Sequence, residues 1–142
     1  MTKPLIDGLP LPQRYGAILT IVIGITMAVL DGAIANVALP TIASDLNASP
    51  AASIWIVNAY QIAIVISLLS LSFLGDMIGY HRIYKAGLIV FTLTSLLCAL
   101  SHSLEMLTLA RIAQGFGGAA LMSVNTALIR LIYPQRQLGR GM

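Results

Sequence analysis

Residues 46–75 read LNASPAASIWIVNAYQIAIVISLLSLSFLG, thirty consecutive positions without an Asp, Glu, Lys or Arg. A helix needs about 20 mostly apolar residues to cross the ~30 Å hydrocarbon layer of a bilayer. After Pro50 this stretch holds one such span, over residues 52–74. Charge-poor stretches recur on both sides of it. Between Arg14 and Asp45 the one charged residue is Asp31, which leaves a first span over residues 15–39, stopped by Pro40. A third span fits residues 83–100, with Lys85 near enough to its end to snorkel. A fourth fits residues 104–132, interrupted by Arg111 and closed by Pro134. All six prolines fall outside or at the ends of these spans, which predicts continuous helices.

Composition agrees with that pattern. Of 142 residues, 58% are hydrophobic and 9% charged, whereas soluble domains carry roughly a quarter of their residues as charged ones. So few charges cannot coat a soluble domain, which excludes a soluble enzyme, a nucleic-acid binder and a disordered chain. The fold class is all-α and membrane-integral, and the first partner implied is the lipid bilayer. The single cysteine, Cys98, excludes an intrachain disulfide and a cysteine-based metal site. No metal-binding motif, clustered carboxylates or Ser/His arrangement argues for an enzyme.

The net charge of +3 is best read as topology. Lys3, Arg14, Arg82, Lys85, Arg130, Arg136 and Arg140 all fall on one side of the four-span path. The other two connections contain no basic residue. By the positive-inside rule that side is cytoplasmic, as are both ends of the chain. The chain then divides into a cytoplasmic tail (1–14), four transmembrane helices (15–133) and the start of a cytoplasmic loop (134–142). Tyr15, Trp55, Tyr80, Tyr84 and Tyr133 fall where an interfacial aromatic belt would lie, and His81 and His102 fall in connections. Ala33-Ile34-Ala35 formally resembles a signal-peptidase site. The apolar run continues beyond it and three further spans follow, so cleavage is not expected.

Small residues recur every fourth position on two helices: Gly16, Thr20, Gly24, Ala28, Gly32 and Asn36 on the first, and Arg111, Gly115, Ala119, Ser123 and Ala127 on the fourth. Such stripes let helix backbones approach closely. Polar members interrupt both. Asp31 lies about eight residues, or ~12 Å, inside the outer end of its helix, and Arg111 about seven residues, or ~10 Å, inside the outer end of its own. Opposite charges at similar depth invite pairing, because each alone would cost at least a few kcal/mol. Asn58, Gln61 and Gln114 fall at comparable depth and are candidates for a polar cavity. One reading is a structural ion pair that registers the bundle. The other is proton coupling. Burial disfavours a carboxylate's charged form and a guanidinium favours it, so the hold on a proton varies with how closely the two approach. Arginine stays charged and cannot carry the proton itself.

Three segments resemble motifs of the major facilitator superfamily, and within it the fourteen-helix drug:proton antiporters. LDGAIANVALP (30–40) resembles the first-helix motif, with Ala33 at its usual threonine. SFLGDMIGYHR (72–82) is similar to the loop between helices two and three. There Asp76 and Gly79 match, Ser72 replaces the leading glycine, and Met77 and Tyr80 replace basic residues. RIAQGFGGAA (111–120) resembles the fourth-helix motif of proton-driven members, with the arginine, glutamine and glycines all matching. The resemblance implies that the four helices form part of the N-terminal half of a facilitator fold. It implies proton coupling by Asp31 and Arg111, and a gate at Asp76 and Gly79 with Arg82 supplying positive charge. Helix packing through Gly24, Gly32, Gly115, Gly117 and Gly118 is expected alongside. The expected cargo is a lipophilic organic cation expelled across a bacterial inner membrane, with the proton gradient as energy source and no cofactor. The chain reads as an N-terminal part that needs the C-terminal helices of the same polypeptide to transport. Competing readings are a small four-helix multidrug exporter working as a dimer and a non-transporting assembly subunit.

Overall fold

A computed structural model of the chain describes residues 9–45 and 48–132. They form four helices, α1 (Leu11–Asp45), α2 (Pro50–Ile78), α3 (Tyr80–Ala99) and α4 (Leu104–Ile132). All four are long and apolar enough to cross a membrane. Lys3, Tyr133, Pro134, Arg136 and Arg140, with the outer parts of the tail and loop, lie outside the described residues.

The helix ends follow from local chemistry. Ser49 caps α2, its hydroxyl accepting from the Ala52 N–H at 3.2 Å, with Pro50 in the first turn. Ser103 does the same for α4 by accepting from the Met106 N–H at 3.2 Å, and Glu105 stands in that helix's first turn. Between α2 and α3 there is one residue, Gly79, at φ +100°. Its N–H reaches the Gly75 carbonyl at 2.9 Å and its own carbonyl starts α3 by accepting from Arg82 at 3.1 Å. Only glycine takes that backbone angle without strain. The turn is therefore tighter than the spacing suggests, and His81 and Arg82 stand on the first turn of α3 instead of in a connection.

α1 departs most from expectation. It begins at Leu11 and runs through Pro40 to Asp45. A proline removes one backbone donor, here the one that would reach the Asn36 carbonyl. Pro40 lies beyond the apolar span, which ends at Ala38. A freed carbonyl is tolerable there because it can meet interfacial water.

α4 is the centre of the bundle and packs closely against α2 and α3, whereas α1 touches its neighbours sparsely. The packing depends on missing side chains. A Cβ at Gly117 would lie 2.7 Å from the Phe91 backbone nitrogen, and one at Gly87 would lie 2.6 Å from the Ala120 Cβ. Around this approach Phe91, Leu121 and Val124 are buried. The first and last of the described residues also meet, the Leu9 N–H donating to the Ile132 carbonyl at 3.1 Å. The start of α1 and the end of α4 thus share one face of the bundle, as an even number of crossings requires.

Candidate functional site

Asp31 faces inward from α1, and Arg111 and Gln114 face it from successive turns of α4. Arg111 Nη1 donates to Asp31 Oδ2 at 2.6 Å and to Gln114 Oε1 at 2.9 Å. Gln114 Nε2 in turn donates to Asp31 Oδ1 at 2.9 Å. The three side chains close a ring in which both carboxylate oxygens have a donor and the amide is used at both ends. Gln114 is fully buried, and the side chains of Arg111 and Asp31 are 9% and 17% exposed. Removing one partner from so buried a pair costs about 3–5 kcal/mol, because the other charge is left uncompensated. Charge-assisted bonds of this length also hold the ring in one geometry.

Two residues that carried no signal in the sequence complete the site. Cys98 on α3 points its Sγ–H at Gln114 Oε1, 3.6 Å away. Tyr60 on α2 presents its ring to Arg111, with the guanidinium carbon 5.5 Å from the ring centre, inside cation–π range. A thiol and an aromatic ring in an apolar helix read as packing residues, so only the fold reveals them. Beside the ring of polar groups lies a partly open cavity of about 220 Å³, walled by Asp31, Ala35, Ile56, Cys98, Leu107 and Arg111. Its lining residues extend from the charged pair toward the α1–α2 and α3–α4 connections, the side away from Leu9 and Ile132.

Other expected members of the site lie elsewhere. Asn58 and Gln61 are exposed on α2 and make no hydrogen bond to the cluster among the described residues. A Cβ at Gly32 would meet nothing within 4 Å, so among the described residues it makes no close helix contact, and the same holds for Gly16. Gly24 does: a Cβ there would overlap the Tyr84 hydroxyl. That hydroxyl donates to the Thr20 carbonyl at 3.0 Å, and Tyr84 is 3% exposed. Tyr84 is therefore a pin between α3 and α1 and not part of an aromatic belt, whereas Tyr15 and Trp55 are well exposed. Gly115 and Gly118 admit Tyr60, with its carbonyl oxygen 2.7 Å and its hydroxyl 3.1 Å from their respective Cβ positions.

At the far end of the bundle the Tyr80 hydroxyl donates to Asp76 Oδ1 across the Gly79 turn. The tyrosine that stands in place of a basic residue thus still serves the aspartate. Arg82 is exposed on α3, and its side chain makes no hydrogen bond or ion pair to Asp76 among the described residues. No group of three or more His, Cys, Asp or Glu among the described residues could hold a metal ion.

A buried carboxylate–guanidinium pair in a bundle of membrane-spanning helices, with a tight Gly79 turn beneath it, defines a class. The chain belongs to the Major Facilitator Superfamily, whose family model matches residues 21–142. It is a multi-pass membrane protein. Over all 142 residues it is 84% identical to YebQ of Escherichia coli strain K12, named "Uncharacterized transporter", of which it covers 31%. It is 34% identical over 92% of its length to the riboflavin transporter RibZ of Clostridioides difficile strain 630, covering 28% of that protein. It is 38% identical over 86% of its length to MdtD of Salmonella paratyphi B, named "Putative multidrug resistance protein", covering 26% of it. The chain thus spans less than a third of the length of each of these relatives.

Proposed function

We propose that the polypeptide to which this chain belongs is a proton-coupled exporter of lipophilic organic cations in a bacterial inner membrane, with Asp31 as its proton carrier. The observation that carries this reading is the Asp31–Arg111–Gln114 ring set against a cavity. Ionisable groups at such depth are retained at a cost, and function is the default explanation. Arg111 keeps its charge throughout. Asp31 is then the group that exchanges a proton. An organic cation entering the cavity favours the ionised carboxylate and expels the proton, and a returning proton disfavours the cation. Mutual exclusion at one acid is the physical basis of antiport, and the proton gradient supplies the energy without a cofactor.

By the positive-inside rule the basic residues support a cytoplasmic side for the Gly79 turn and the end of α4. Asp76, Gly79 and Arg82 would form the gate there. Remaining helices of the same polypeptide would complete the cavity around the midplane site, as paired repeats do in such carriers. The multidrug name of MdtD supports the cation reading. The riboflavin named for RibZ supports a second one, a planar neutral substrate in the same cavity.

Efflux of tetraphenylphosphonium from cells expressing the full-length protein tests the proposal. Asp31→Asn is expected to lose efflux by about 100-fold, comparable to the loss of a few kcal/mol of coupling energy. Collapse of the proton gradient is expected to have the same effect on the parent. Unimpaired efflux in Asp31→Asn would sink the reading. Gradient-dependent movement of riboflavin, with none of the cation, would favour the second.

A further inference from the structure

Tyr60 has no role in the exchange described above, yet the fold goes to some length to seat it. Gly115 and Gly118 follow Arg111 by one and two turns of α4, so all three share a face. Gly118 leaves room for the Tyr60 hydroxyl, Gly115 lets the Tyr60 backbone carbonyl come close, and the ring lies 5.5 Å from the Arg111 guanidinium carbon. The titratable and charged groups that meet here come one from each helix: Asp31 from α1, Tyr60 from α2, Cys98 from α3 and Arg111 from α4.

While Asp31 is ionised, its oxygen at 2.6 Å fixes the guanidinium. Once Asp31 is protonated, Arg111 becomes a buried cation without a counter-ion, and an uncompensated buried charge is strongly unfavourable. Two contacts then remain among the described residues. One is Gln114 Oε1, a neutral dipole 2.9 Å from Nη1. The other is the Tyr60 ring, whose face carries the negative end of the aromatic quadrupole and attracts a cation most when water is excluded.

We propose that Tyr60 is a positioning residue for proton coupling: its ring face holds the Arg111 guanidinium in register while Asp31 is neutral. The proposal rests on the reading of Asp31 as the proton carrier. Without the ring, the unpaired guanidinium would leave its place, and re-forming the pair on proton release would require it to return. With the ring, the bond to Asp31 is broken and re-made around a stationary cation.

Asparagine at position 31 stands in for the permanently neutral acid, so a double-mutant cycle tests the claim without any substrate. Thermal melting of the full-length protein in detergent is compared for Tyr60→Leu and Tyr60→Phe, each in the parent and in Asp31→Asn. Tyr60→Leu is expected to lower the melting temperature at least about twice as much in Asp31→Asn as in the parent. Tyr60→Phe, which keeps the ring, is expected to leave both nearly unchanged. A phenylalanine fluorinated around its ring keeps the shape while removing the negative face, and should behave like leucine. That variant decides the matter where Tyr60→Leu fails to accumulate. Equal losses in the two backgrounds would reduce Tyr60 to packing and overturn the proposal, as would a Phe variant no better than Leu. Failure of the exchange reading shows separately, as tetraphenylphosphonium efflux that survives Asp31→Asn.

Discussion

α1 and α4 carry nearly the same small-residue stripe, and the bundle treats them differently. Half of the most apolar window of α4 is buried, against 11% of that of α1. On α4 the stripe meets a matching partner, with Gly115 facing Ala63 and the Tyr60 carbonyl, and Gly117, outside the stripe and about half a turn round, faces the Phe91 backbone. On α1, Gly16 and Gly32 face open space, and Thr20 and Asn36 bond back to their own helix at the Gly16 and Gly32 carbonyls. α1 is held by polar ties, Asp31 to Arg111 and Gln114 and the Thr20 carbonyl to Tyr84, together with Ile21 in the buried core and Ala17, Ile18, Met27 and Ala28 packed against it. A stripe of small residues is therefore permission to approach. Whether an approach occurs depends on what the neighbouring helix offers.

Substitutions at the close approaches of α4 and α1 sharpen that contrast. The largest expected effect is at the α3–α4 approach. In Gly117→Ala the new methyl meets backbone atoms of Phe91 at 2.7 and 2.9 Å, which cannot swing aside. Melting of the full-length protein should show a loss of about 1–3 kcal/mol, the cost of overpacking a tight interface. Next comes the pin. Tyr84→Phe removes the donor to the Thr20 carbonyl and should cost about 1 kcal/mol. The same change should relieve part of the damage in Gly24→Ala, since the hydroxyl is what a methyl there would overlap. A Gly24→Ala variant indifferent to Tyr84→Phe would show that α1 is not seated as described. The smallest effect is at Gly32. Gly32→Ala should be neutral or stabilise by up to about 1 kcal/mol through helix propensity. A loss as large as that of Gly117→Ala would mean that α1 is packed as tightly as α4.

Much of this was legible in the sequence for a definite reason. Charges are scarce in a membrane chain, so the gaps between Arg14, Asp45 and Asp76 delimit the first two spans, and α4 falls on the residues expected, Leu104–Ile132. The same scarcity marked Asp31 and Arg111 as a pair, and Gln114 at similar depth proved to join them. Rotational setting was not legible. In a soluble helix the polar face declares itself, but here lipid-facing and buried positions are equally apolar. Nothing in the residues themselves shows that Tyr60 turns toward Arg111, or that Tyr84 is a pin while Tyr15 is exposed. Gly87 and Gly75, both close to neighbours, fall in no repeating stripe and give no periodic signal. Pro40 misled because its penalty depends on where the missing donor falls, and at the end of an apolar span that penalty is small.

Proton release on cation binding bears most directly on Asp31. Full-length protein in weakly buffered detergent with a pH indicator is mixed with tetraphenylphosphonium, while binding is followed in parallel by calorimetry. The parent is expected to acidify the medium in proportion to the cation bound, and Asp31→Asn to bind the cation with no acidification. Equal acidification by Asp31→Asn, or binding by the parent with no proton released, would contradict a carrier that exchanges its two cargoes at this carboxylate.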